Sequence, residues 1–101
     1  MHRYLKVSEV LSELHVDAAF LEALEAEGLI HVKRTLEDEP VLSLDDAERA
    51  RVAVLLTGEM EVNLAGVEVI INMRESMLAM QRQFNDILDA LVEEMRRHLP
   101  R

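Results

Sequence analysis

From Asn63 to Leu99 the chain carries no proline and one glycine, Gly66, and its large apolar residues recur at gaps of three and four. A helix over that span is roughly 55 Å long at 1.5 Å per residue, more than the diameter of a domain of about 100 residues. The rest of the chain is too small to bury it. Ile70, Met73, Met77, Met80, Phe84, Ile87 and Leu91 alternate by threes and fours over three heptads, the seam that two paired helices bury. At Glu94 the seam ends, and Leu88, Val92 and Met95 take over as the 3.6-residue period drifts against the 3.5-residue repeat. The spacing predicts a coiled coil with a second copy, because a closed two-fold contact is the commonest way to cover such a stripe. Folding back at Gln81–Asn85 is the alternative, but only weak helix formers such as Asn85 and Asp86 stand there, and Pro100 is where the helix should stop.

The residues before this helix change period several times. Leu5, Val7, Val10, Leu11 and Leu14 suit a short amphipathic helix beginning near Val7. A second follows at once, with Asp17 as N-cap, an apolar face of Ala18, Phe20, Leu21, Leu24 and Ala26, and Gly28 placed for a left-handed C-cap. Two short helices this close make a helix-turn-helix. "LIHVKRTLEDEPVLSL" then reads as a hairpin from about Ile30 to Leu44 with its tip near Glu37–Pro40, a wing. Ser43 and Asp46 resemble a short-armed capping box ahead of a third helix, Leu44 to about Leu56, which Thr57 and Gly58 end. Asn63 is the expected cap of the long helix. The fold expected is mainly α: a winged helix-turn-helix over residues 1–58, with a small β-hairpin wing, and a long dimerising coiled-coil helix over 59–101.

Composition narrows the function. There is no cysteine, so there is neither a disulfide framework nor a thiolate site, and a small chain without staples suits a reducing cytoplasm. "MHRYLKVSEV" lacks the basic end and apolar run of a signal peptide, and no window holds 18 uninterrupted apolar residues, so a soluble cytoplasmic protein is expected. His2, His15, His31 and His98 share no ligand spacing, so neither metal nor cofactor is expected. Asp45 with Asp46 and Glu93 with Glu94 are adjacent pairs whose carboxylates diverge on a helix, which suits capping and solvation better than acid–base catalysis. No phosphate loop or nucleophile elbow is present, and no enzymatic activity is expected.

The order of elements, with "VSEVLSELHVDAAFLEALEAEGLI", "LSLDDAERARVAVL" and "EVNLAGVEVIINMRESM", resembles the MerR family of winged-helix regulators over almost the whole chain. "EAEGLI" is similar to that family's acidic-x-x-Gly-Leu ending, and "NLAGVEVI" resembles two of its branches, HspR-type heat-shock repressors and CbpM-type chaperone modulators. The first resemblance implies DNA binding. The second implies binding and inhibition of the J-domain of a DnaJ- or CbpA-type co-chaperone.

Charge separates the two. DNA-binding members carry Arg then Tyr in the second helix and a basic wing, whereas this chain has Glu22 and Leu24 at the helix positions and "TLEDEPVL" in the wing. On a duplex, Glu22, Glu25 and Glu27 would face or flank phosphates, as would Glu37, Asp38 and Glu39 at the wing. Duplex affinity comes mainly from Lys and Arg displacing counterions, so six acids reverse the sign of that contribution, and Lys33 and Arg34 do not offset them. Residues 1–48 hold twelve acids and four bases, a net of −8. The expected partner is therefore a J-domain, whose resemblance-implied surface is a Lys- and Arg-rich helix, with the six acids as its site and Ile70, Met73, Met77, Met80, Phe84, Ile87 and Leu91 as a homodimer interface. Nucleic acid is the rejected alternative, as an HspR-like repressor. A bare oligomerisation module is the third reading.

Overall fold

The computed structural model describes residues 3–99; His2 and Pro100, and with Pro100 the expected helix stop, lie outside that range. In chain order the elements are β1 (Tyr4–Lys6), α1 (Val7–Leu14), α2 (Ala18–Ala26), β2 (Lys33–Arg34), β3 (Pro40–Ser43), α3 (Leu44–Gly58) and α4 (Leu64–His98). The fold is mainly helical with a small antiparallel sheet. Its contacts group the chain into two compact units, one ending at Ile71 and the other beginning at Asn72.

In the first unit the helix-turn-helix is built from local backbone chemistry. His15 takes a left-handed conformation, φ 57°, which lets Val16 N–H close onto the Leu11 carbonyl at 3.2 Å and end α1. Asp17 then accepts from Phe20 N–H at 2.9 Å and starts α2. Gly28 at φ 75° ends it as a Schellman motif, with Gly28 N–H on Glu25 O at 2.9 Å and Leu29 N–H on Leu24 O at 3.0 Å. The chain thereby reverses and feeds Leu29 and Ile30 straight into the core, where both are buried.

The wing differs in detail from the expected hairpin. Its tip is Thr35 to Glu39: Asp38 N–H donates to Thr35 O at 2.9 Å, Asp38 turns left-handed at φ 63°, and Thr35 N–H returns to Glu39 O at 3.0 Å. This is a three-residue hairpin loop, and Asp38 takes the position that usually asks for Gly. Pro40 is not at the tip; it opens β3 opposite Arg34, the first place in a strand where a missing N–H is tolerated. A second difference is β1. Leu5, grouped with the first helix by its spacing, instead lies in a strand opposite Leu42, so the sheet order is β1-β3-β2. Three residues at a chain's edge carry too little period for their type to be read from sequence.

Leu24, Ile30, Leu42 and Val67 are the largest fully buried side chains, with Val10, Leu21, Ala53, Leu56 and Ile71 packed around them. Ser43 caps α3 by accepting from Asp46 N–H at 3.1 Å, as expected, but α3 continues through Thr57 to Gly58, the Thr57 hydroxyl bonding back to Ala53 O at 2.8 Å. Asn63 caps α4 through Gly66 N–H at 2.8 Å, and α4 then runs unbroken through Gln81–Asn85. Gly66 is required by space: a Cβ there would sit 2.7 Å from Val62 Cγ1. Val67 and Ile71, in the first two turns of α4, are part of the winged core. In the second unit every described side chain except Glu75 is exposed.

Candidate partner-binding surface

Helix α2 is where a helix-turn-helix protein would read a duplex, and its side chains decide what it can read. Leu21 and Leu24 point into the core, leaving Ala18, Ala19, Glu22, Glu25 and Ala26 exposed. The nine residues, AAFLEALEA, include no side chain that can donate a hydrogen bond at neutral pH. Phosphates and the acceptor atoms of purines in the major groove both need donors. Only an acceptor for cytosine remains, after a backbone approach that Glu22 and Glu25 oppose.

The six acids expected at the site divide into two sets. Glu25 accepts from Val32 N–H at 2.9 Å and so holds the chain between α2 and the wing. Asp38 receives Arg34 on its carbonyl at 2.9 Å and lies 3.5 Å from it by its carboxylate, while Glu39 lies 3.5 Å from Lys6 Nζ. These three are committed to the unit itself. Among the described residues, Glu22, Glu27 and Glu37 have no hydrogen-bond or ion-pair partner. Glu37 stands beside Leu36, which is fully exposed at the wing tip. Lys33, on β2, lies 5.8 Å from the centre of the Tyr4 ring, a cation–π contact.

Asp46 has a function its place in the sequence did not suggest. Beyond its capped N–H, its carboxylate is buried and accepts from His31 N–H at 2.9 Å and from Arg49 at 3.0 Å. The short arm that disqualifies it from reaching back to Ser43 fits it to clamp the entrance of the wing onto α3.

Glu9 in the first turn of α1 and Asp45 and Asp46 in that of α3 stand with the helix dipoles, but at the C-terminal ends charge is set against them. Glu13 stands in the last turn of α1, Glu25 in that of α2, Glu27 caps α2 and Glu59 caps α3, with no base in the last turn of any of the three. A carboxylate at a helix C-terminus is unfavourable by about 0.3–1 kcal/mol at low salt. At the end of α4 the rule is obeyed, by Arg96, Arg97 and His98. Residues 1–71 hold fifteen acids and six bases, a net of −9, and residues 72–101 five of each.

The seam residues of α4 are exposed in the single chain, from 36% at Ile70 to 68% at Met77 and 69% at Met80, with Met73, Phe84, Ile87 and Leu91 between. Leu88, Val92 and Met95 add a second exposed stripe. Among the described residues, no group of three His, Asp or Glu side chains is placed to hold a metal ion, and no helix is long and apolar enough to cross a membrane.

Residues 5–88 match the family described as MerR HTH family regulatory protein, from the second residue of β1 to just past Ile87, the sixth of the seven seam residues of α4. The chain belongs to the MerR family. No curated protein matches it. As a MerR-family chain it is a regulatory helix-turn-helix protein; the exposed positions of α2 carry alanine and glutamate, and Leu24, expected at a contact position, is buried in the core.

Proposed function

We propose that this MerR-family protein is a chaperone modulator that binds the J-domain of a DnaJ- or CbpA-type co-chaperone and inhibits it. The observation that carries the reading is α2: a reading helix without one donor or cation, in a unit of net charge −9. Such a surface repels polyanions and attracts a basic polypeptide, and long-range attraction raises the encounter rate while apolar contacts supply most of the affinity. Glu22, Glu27 and Glu37 are the acids free to meet the partner; Glu25, Asp38 and Glu39 shape the surface and add to its potential. Covering a J-domain's basic helix excludes Hsp70, and inhibition follows.

The protein acts as a homodimer through α4. In proteins most helical stability comes from packing an apolar face, and a stripe of seven large apolar residues needs a cover. Pairing of Ile70, Met73, Met77, Met80, Phe84, Ile87 and Leu91 with a second copy supplies one.

The rival, a heat-shock repressor, draws on the family description and on the exposed Lys33 and Arg34 of β2. Steady-state Hsp70 ATPase stimulated by a J-domain separates the two. The modulator suppresses the stimulation at stoichiometric amounts; no suppression at tenfold excess, with tight sequence-specific retention of upstream DNA in a gel shift, overturns the proposal in favour of the repressor.

A further inference from the structure

An attracted helix still needs an apolar seat, and α2 does not offer one: its exposed face is alanine and glutamate. A groove between β1, α1 and α3 does. It measures about 340 Å³ and has Leu5, Leu14, Leu44 and Ala47 along its floor, Leu44 being 44% exposed. An adjoining depression of about 420 Å³ continues it along α1 and shares Leu5, Val10 and Glu13.

The α1 side of this surface is anionic. Glu13 borders the groove and Glu9 the adjoining depression, and the side chain of neither has a partner among the described residues. Across the groove, Arg51 is the cation, and Glu48 binds it through two hydrogen bonds of 2.9 and 2.7 Å, which raises its pKa and cancels its charge locally. Glu13 moreover sits in the last turn of α1, where the helix dipole disfavours a carboxylate. The groove therefore presents aliphatic side chains beside uncompensated negative charge on its α1 side.

Resting on the J-domain reading above, we infer that the groove between α1 and α3 seats a cationic amphipathic helix, its apolar stripe on Leu5, Leu14 and Leu44 and its Lys and Arg side chains on Glu9 and Glu13. The acids of α2 and the wing steer the partner; the groove holds it. Removing a steering charge chiefly slows association, whereas removing a charge from the seat speeds dissociation.

The test is a titration of the ¹⁵N-labelled full chain with a J-domain, followed by stopped-flow binding to two variants. The inference expects amide shifts concentrated at Leu5, Glu13, Leu14, Leu44 and Ala47. It also expects E9K/E13K to raise the dissociation rate about tenfold, and E22K/E27K to lower the association rate with little change in dissociation. Binding with shifts confined to α2 and the wing, and an unchanged dissociation rate in E9K/E13K, overturns the groove and leaves the J-domain reading standing. No J-domain binding overturns that reading instead; a synthetic Lys/Leu amphipathic helix then decides, supporting the groove if it shifts the same amides and overturning it if it does not. Groove amides that move on diluting the protein alone show a second copy seated there and overturn the inference.

Discussion

Residues 1–71 and residues 72–101 follow opposite electrostatic rules at the C-terminal ends of their helices. The winged unit places Glu13, Glu25, Glu27 and Glu59 at helix C-terminal ends and has no base in the last turn of α1, α2 or α3, and it holds the entire net charge of −9. Residues 72–101 balance to zero, and the long helix finishes with Arg96, Arg97 and His98, as a helix selected for stability does. Its unusual feature is apolar: a stripe of Met, Ile, Leu and Phe left open in the single chain. The contrast separates two tasks. Charge at the C-terminal ends of α1 and α3 is held against the helix dipole, which under the proposed function serves a partner, while the stripe of the second unit is under the same proposal covered by a second copy.

The largest effect tests the second unit. Glutamate at both Met77 and Phe84 puts charges into the centre of the proposed seam, and sedimentation should show monomers, the dimer weakened at least about a hundredfold, since each buried unpaired charge costs several kcal/mol. Retention of the dimer would put the seam elsewhere. D46A comes next. It strips the His31 N–H and Arg49 of a buried acceptor, and thermal melts should show a loss of about 1–3 kcal/mol, with the proposed dimer of α4 unchanged. G66A, whose new methyl meets Val62, should lose about 1–3 kcal/mol by overpacking; a neutral result would mean that the start of α4 shifts freely. The smallest effect sharpens the comparison most. E13Q should raise the stability of the winged unit by about 0.3–1 kcal/mol while weakening the partner complex, and R97Q should do the reverse for stability at the end of α4. A destabilised E13Q would mean that Glu13 serves the fold.

Much of this fold was legible because its signals are local and chemical. Asp17, Gly28, Ser43 and Asn63 are caps whose side chains or φ freedom fix where α2, α3 and α4 begin or end, and the three-four spacing from Ile70 to Leu91 carries its own period. The parts that could not be read depend on contacts distant in sequence. β1 exists because Leu5 pairs with Leu42, and Asp46 became a clamp because His31, fifteen residues earlier, is folded against it. The negative charge of α2 and the wing was legible, but the allocation of its carboxylates was not. Nothing in "EALEAEG" says that Glu25 is spent on Val32 N–H while Glu22 and Glu27 stay free. Nor does the spacing of α1 announce that Glu9 and Glu13 flank an aliphatic groove, since Leu44 and Ala47 reach it from beyond the wing.

The central claim is the proposal that the acidic winged unit takes a cationic polypeptide. Calorimetric titration of a J-domain into the protein at low and at high salt tests it most directly. The account predicts binding at micromolar or lower Kd in about 50 mM salt, weakened severalfold in about 300 mM as the charges are screened. Absence of heat at low salt, or an affinity indifferent to salt, would contradict it.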